Sequence, residues 1–138
     1  MTDTTPSSLP SVYPVLRYQD APAALDFLAK AFGLTATTVH EEGGKIVHAQ
    51  MAWDTGVIML GSGSESGDGT FDSGRTVLYL AVADPDAHHD RSVAAGAEVV
   101  MELVDQPYGS REYAALDPEG NVWCFGTYRP GPNDGASS

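Results

Sequence analysis

Short stretches of alternating apolar and polar residues, broken twice by a helical period, run through the chain. Val12 to Tyr18 reads as a strand, with Pro14 confining it to a sheet edge or to its opening residues. Asp20 then offers an N-cap and Pro22 suits a first helical turn. Leu25, Leu28, Ala29 and Phe32 recur at helical spacing until Gly33 closes the segment. Thr35 to His40 is β-branched and strand-like, Glu41 to Gly44 is a turn, and Ile46 to Trp53 predicts another strand. That strand leads through Asp54-Thr55-Gly56 into a further apolar run, Val57 to Leu60, which completes a β-hairpin. The order is β-α-β-β-β.

A Gly/Ser/Asp-rich linker, 62–74, follows, with Phe71 as its only large apolar residue. Beyond it Thr76 to Val82 is a strand, Asp84-Pro85 repeats the cap-then-proline chemistry, and a short Ala-rich helix runs to Gly96. Ala97 to Val104 and Arg111 to Leu116 are strands. Asp117-Pro118-Glu119-Gly120 is turn chemistry: Pro118 sets φ, Asp117 can accept from the backbone ahead of it, and Gly120 supplies a positive φ. The last strand, through Val122 to Gly126, restores the order of the first half. Leu16 falls on Leu80 and Asp20 on Asp84; Met59, Leu60 and Gly61 fall on Cys124, Phe125 and Gly126 after one net insertion. The chain thus reads as an internal duplication, with modules at 11–61 and 75–129 in a single domain. Each module alone would leave one sheet face uncovered, so the two are expected to pair, within a chain or by exchange between chains. The polar ends, 1–10 and 130–138, are expected to be a disordered arm and tail.

Size and charge narrow the function. A chain of 138 residues buries enough surface to fold without disulfides, and its single cysteine, Cys124, lies in an apolar strand pattern, which suits a reduced, cytoplasmic setting. Seven Lys plus Arg against nineteen Asp plus Glu leave a net charge of −12, which opposes nucleic acid and anionic membranes and favours a cationic partner. No apolar run is long enough to span a bilayer, and the first ten residues lack the basic and apolar regions of a secretory signal.

The repeat, together with Asp20-Ala21-Pro22-Ala23-Ala24-Leu25-Asp26-Phe27, Ala31-Phe32-Gly33, Ala95-Gly96-Ala97 and Tyr108-Gly109-Ser110-Arg111 ahead of Asp117-Pro118-Glu119-Gly120-Asn121, resembles the vicinal oxygen chelate superfamily. That group contains glyoxalase I, bleomycin-resistance proteins and extradiol dioxygenases. The resemblance covers roughly Val12 to Arg129. It implies an α+β fold of two paired β-α-β-β-β modules forming a curved mixed sheet around a cavity, and a homodimer. It also implies metal ligands on the first and fourth strand of each module, which match Tyr13, Met59, Val77 and Cys124 here. None of these is a His or a carboxylate, so the family's metal-dependent chemistry is not expected at those positions, and no cofactor is expected.

Strand alternation from those positions sketches a ligand-facing surface. Tyr13, Val15 and Arg17 share a face, as do Val77, Tyr79 and Ala81. Pairing Asp54 with Val57 brings His48 and Gln50 to the side of Met59. Pairing Leu116 with Asn121 brings Arg111 and Tyr113 to the side of Cys124. The expected ligand-binding residues are Tyr13, Arg17, His48, Gln50, Met59, Tyr79, Arg111, Tyr113 and Cys124, and both tryptophans fall on the opposite face. Arg17 sits where the resemblance to glyoxalase I implies a grip on a substrate carboxylate; the alternative is a local pair with Asp20. Arg111 has two readings, ligand contact or brace for the Tyr108-Gly109 loop. His48 has two as well, general base or ligand contact against plain strand residue. The run His88-His89-Asp90 is expected to be a solvated helix face, because adjacent helical residues diverge by about 100°. Cys124 lacks an obvious cationic neighbour and is expected to be inert. No nucleophile elbow or phosphate loop is present. The sequence therefore favours a metal-independent binder that sequesters a small aromatic ligand such as an antibiotic, a cationic one being assisted by the net charge. The alternative is a glyoxalase- or dioxygenase-type enzyme with a metal at displaced positions, such as His48 with a nearby carboxylate.

Overall fold

The computed structural model describes residues 9–72 and 74–131, so most of the expected arm and tail lies outside the described residues. The chain divides after Gly74 into two compact units. Each contains an open, four-stranded mixed sheet, as expected of this α+β class.

The N-terminal unit comprises β1 (Val15–Tyr18), α1 (Ala21–Phe27), β2 (Thr35–Glu42), β3 (Lys45–Trp53) and β4 (Gly56–Ser62), in the sheet order β1-β4-β3-β2. Only the β1–β4 pair is parallel, as a helical crossover requires. Asp20 caps α1 by accepting from the Ala23 N–H at 3.1 Å. The helix then widens into a π-type turn, Leu28–Phe32, which Gly33 ends at φ 84°. Leu25 and Ala29 lie at the margin of the inward stripe and are half-buried, while the stripe itself is Ala21, Ala24, Leu28, Ala31 and Phe32, which recur at helical spacing and are buried. They pack against the sheet face that carries Leu16, Tyr18, Ala49, Met51, Ile58 and Leu60. Side chains of Leu or Phe size contribute roughly 1.5–3 kcal/mol each when fully buried, so this face holds the unit together.

The C-terminal unit repeats the plan with β5 (Val77–Ala81), α2 (Pro85–Ala94), β6 (Glu98–Asp105), β7 (Arg111–Leu116) and β8 (Val122–Gly126), in the sheet order β5-β8-β7-β6. Asp84 caps α2 through the Ala87 N–H at 3.1 Å. Leu80, Tyr113, Ala115, Trp123 and Phe125 are buried on the face toward α2. That core also contains polar atoms. The Tyr113 hydroxyl lies 2.6 Å from His88 Nδ1 and 2.6 Å from Ser92 Oγ, both on α2.

The two hairpins close differently. In the first, Trp53 pairs with Gly56 across Asp54-Thr55, and Asp54 adopts φ 53°. The register differs by two residues from the expected one, Gln50 opposing Met59, which leaves every side chain on its expected face. In the second, Leu116 pairs with Val122, not Asn121. This is an odd shift, and it exchanges the faces of β7. The cause is a loop built around the buried Asp117 carboxylate. Its Oδ1 accepts from the Glu119 and Asn121 N–H groups, and its Oδ2 accepts from Asn121 Nδ2 at 2.9 Å and Trp123 Nε1 at 3.0 Å. Asn121 is held inside the loop and accepts from the Thr76 N–H through its own side chain.

Candidate functional site

In each unit one sheet face is covered by the helix and the other is not. On the helix-free face of the C-terminal sheet lie Val77 and Tyr79 of β5, Cys124 and Gly126 of β8, and Glu112 and Ala114 of β7. Arg111 and Tyr113 are on the other side, which corrects their expected place beside Cys124. Tyr113 is 0% exposed and stacks on Phe125, and Arg111 forms a fork on Asp86 of α2, with Nη2 2.9 Å from Oδ1, and reaches Asp105 at 3.1 Å. The fork holds the Asp86 carboxyl below its usual range and raises Arg111 further. Arg111 is a brace between α2 and β6, so neither residue is available to a ligand on the helix-free face.

Glu112 takes the place that the sequence reading gave to its neighbours. It is only 8% exposed, and its Oε1 accepts from Tyr108 Oη at 2.8 Å and Gln106 Nε2 at 3.3 Å. Tyr79, opposite Cys124 in the register, donates its hydroxyl to the Tyr128 carbonyl at 2.7 Å, and the rings of Tyr108 and Tyr128 meet edge to face. Gly126 makes the arrangement possible: a Cβ there would fall 2.6 Å from both Glu112 Cγ and Tyr79 Oη. Burial pushes the Tyr79 phenol and the Cys124 thiol up, with the Glu112 charge adding to both, and the hydrogen bond to Glu112 raises Tyr108. The internal repeat held a signal for Glu112. In the duplication it corresponds to His48, one residue before the partner of Leu60 in one unit and of Phe125 in the other.

On the N-terminal sheet the helix-free face carries Val15 and Arg17 of β1, Met59 and Gly61 of β4, and His48 and Gln50 of β3, as expected. Tyr13 precedes β1 by two residues and remains partly exposed. Arg17 lies over Gly61, where a Cβ would fall 2.6 Å from its Nη1. Asp20 is engaged in capping α1. Asp72, whose carboxyl is held below its usual range chiefly by the Ser64 hydrogen bonds, also feels the Arg17 charge. Asp72 accepts from the Ser64 and Gly69 N–H groups, so the glycine-rich stretch after β4 folds back around a carboxylate.

The four positions that the resemblance matches to the family's metal ligands hold a phenol, a thioether, an isopropyl group and a thiol whose pKa burial raises. This donor set does not fit a hard divalent ion. Among the described residues no group of three or more His, Cys, Asp or Glu side chains converges on a possible ion position. His88 and His89 diverge as expected, but His88 is not solvated. It is buried, bonded to Tyr113 and 4.3 Å from the Phe125 ring centroid, while His89 Nε2 reaches Glu102 at 3.0 Å.

The family model described as the glyoxalase/bleomycin resistance protein/dioxygenase superfamily matches residues 11–125. The uncharacterized protein Mb0911c of Mycobacterium bovis is 35% identical over 125 residues, covering 85% of this chain and 82% of its own. Among solved structures, TioX from Micromonospora sp. ML1 is similar at 31% identity and a TM-score of 0.71, covering 88% of this chain and 98% of that one. Lactoylglutathione lyase from Agrobacterium tumefaciens, at 23% identity and a TM-score of 0.64 over 85% of this chain and 93% of its own, shares the fold. No helix of the described residues is long and apolar enough to cross a membrane. The duplicated β-α-β-β-β plan and the match over 11–125 place the chain in the glyoxalase/bleomycin resistance protein/dioxygenase superfamily.

Proposed function

We propose that the chain binds and sequesters a small aromatic ligand without a metal ion, in the manner that the name bleomycin resistance protein implies for part of its superfamily. The observation that carries this reading is the substitution of the metal-ligand quartet by Tyr13, Met59, Val77 and Cys124. Removing all four donors removes the Lewis-acid centre while leaving the scaffold intact. Aromatic and amphipathic side chains remain on the helix-free faces, including Tyr13 and Met59 in one unit and Tyr79, Tyr108 and Tyr128 in the other. Such surfaces suit stacking on a planar organic molecule. An antibiotic is the class of ligand this predicts, and the net charge of −12 favours one bearing positive charge.

Elemental analysis of the purified protein and a melt with and without a chelator test the metal-free part. The expected result is no stoichiometric divalent ion and an unchanged melting temperature. An ion present at one equivalent whose removal lowers the melt would overturn the metal-free reading. Mass spectrometry of small molecules retained through native purification, followed by a thermal screen of aromatic compounds, tests binding. A concentration-dependent rise in the melting temperature is expected for at least one aromatic class, and no rise across the screen would overturn the reading.

A further inference from the structure

Glu112 is a recessed carboxylate without a countercharge. No Lys, Arg or His among the described residues lies within ion-pair distance of it, and the adjacent Arg111 is committed to Asp86 and Asp105 on the other face of the sheet. A carboxylate withdrawn from water costs stability unless it is paired. Tyr108 and Gln106 satisfy Oε1, while Oε2 accepts no hydrogen bond among the described residues. Oε2 is not sealed in, since among the described residues no fully enclosed side-chain oxygen or nitrogen lacks a partner. It is a recessed acceptor that keeps some contact with the outside. The groups around it report an uncompensated negative field: every charge effect on Tyr79, Tyr108 and Cys124 is upward and comes from Glu112 or from one another. The Tyr108 phenol bonds to Glu112, that of Tyr79 shares the Gly126 socket with it, and the Tyr128 ring meets Tyr108 edge to face, with Tyr108 63% and Tyr128 48% exposed.

Resting on the reading of the chain as a ligand binder, we infer that Glu112 Oε2 with Tyr79, Tyr108 and Tyr128 forms a subsite for an arylalkylamine, an amine carried on a short alkyl link from an aromatic ring. The protonated nitrogen donates to the carboxylate while its apolar part lies against the phenol rings. A charge-assisted hydrogen bond in a partly desolvated site is stronger than its neutral counterpart, and the ring faces attract a cation as well. Gly126 fixes the depth of the subsite by letting Glu112 and Tyr79 lie on the β8 backbone.

The test compares naphthylmethylamine, charged at neutral pH, with naphthylmethanol, its uncharged counterpart of nearly the same shape. Affinities are measured by calorimetry or NMR titration on the full chain and on Glu112→Gln. The amine is expected to bind the unmodified chain at least about tenfold more tightly than the alcohol. Glu112→Gln is expected to remove that preference by weakening the amine alone. Equal affinities in the unmodified chain, or a preference that survives in Glu112→Gln, would overturn the subsite while leaving the chain a ligand binder. Binding of neither probe would overturn the subsite and leave the broader function to the aromatic screen. If circular dichroism shows Glu112→Gln to be unfolded, Glu112→Asp decides instead. It keeps the charge but withdraws it by one methylene, and the preference should fall; an unchanged preference would overturn the subsite.

Discussion

The two units share an order of elements, a capped helix and a glycine near the end of the fourth strand, yet they use that glycine for opposite charges. Gly61 lies beneath the guanidinium of Arg17, and Gly126 lies beneath the carboxylate of Glu112 and the phenol of Tyr79. Their helix-covered faces diverge in the same way. Ala49 occupies the position opposite Leu60 in the first sheet, and Tyr113, with hydrogen bonds to His88 and Ser92, occupies the position opposite Phe125 in the second. Backbone geometry has been retained through the duplication while the polar chemistry hung on it has changed. At this matched position the N-terminal core offers only the Ala49 methyl, whereas the C-terminal core has the enclosed hydrogen bonds of Tyr113, which are costly to leave half-made.

The sharpest way to break this comparison is at the hairpins. Asp117→Ala strands four donors inside the second unit and is expected to cost about 3–5 kcal/mol in urea unfolding. At the matching turn of the first unit, Asp54→Gly relieves a positive φ and is expected to change stability by less than about 1 kcal/mol. Equal costs would mean that the two turns do the same work.

Next comes alkaline pH. Burial pushes the Tyr113 phenol up to about 12 from its ordinary 10.0. Its folded value lies above its unfolded one, so its contribution is complete below pH 10 and is lost as the pH rises through 10 toward 12. The unfolded chain then releases a proton that the folded chain retains. The loss across that window is roughly 3 kcal/mol. Stability measured across that window should fall more in the unmodified chain than in Tyr113→Phe, and parallel curves would show that Tyr113 is not enclosed.

The glycines give a smaller contrast. In Gly126→Ala the new methyl meets Glu112 Cγ, close to the β7 backbone, and a loss of about 2 kcal/mol is expected. In Gly61→Ala the nearest atom is the mobile tip of Arg17, with the Val47 carbonyl oxygen at 3.1 Å, and about 1 kcal/mol is expected. A reversed order in thermal melts would undo the parallel between the two sockets.

Helix caps, strand order and the repeat were legible because each rests on local chemistry. Asp20 and Asp84 precede prolines, and the apolar runs recur in register. The N-terminal face was legible as well, since a tight Asp54-Thr55 turn allows few pairings. Arg111, Tyr113 and Glu112 were not. Their faces depend on whether five residues or four separate the paired strands, and that is settled by Asp117 turning its carboxylate inward, a tertiary event with no local periodicity. His88 was missed for a related reason. It stands in a run of polar residues, His88-His89-Asp90, and its bond to the Tyr113 hydroxyl is made across the core, by a residue far away in the sequence.

Cys124, the chain's single sulfhydryl, occupies the middle of the helix-free C-terminal face, opposite Tyr79 and two residue pairs along the ladder from Glu112. Because burial raises its pKa, alkylating reagents should modify it slowly at neutral pH, and they can modify nothing else of its kind. A molecule settling over that face changes access to the sulfur, and neutralising the nearby carboxylate changes how readily the sulfur ionises. The protein thus carries an intrinsic labelling clock, able to register occupancy before the occupant has been identified.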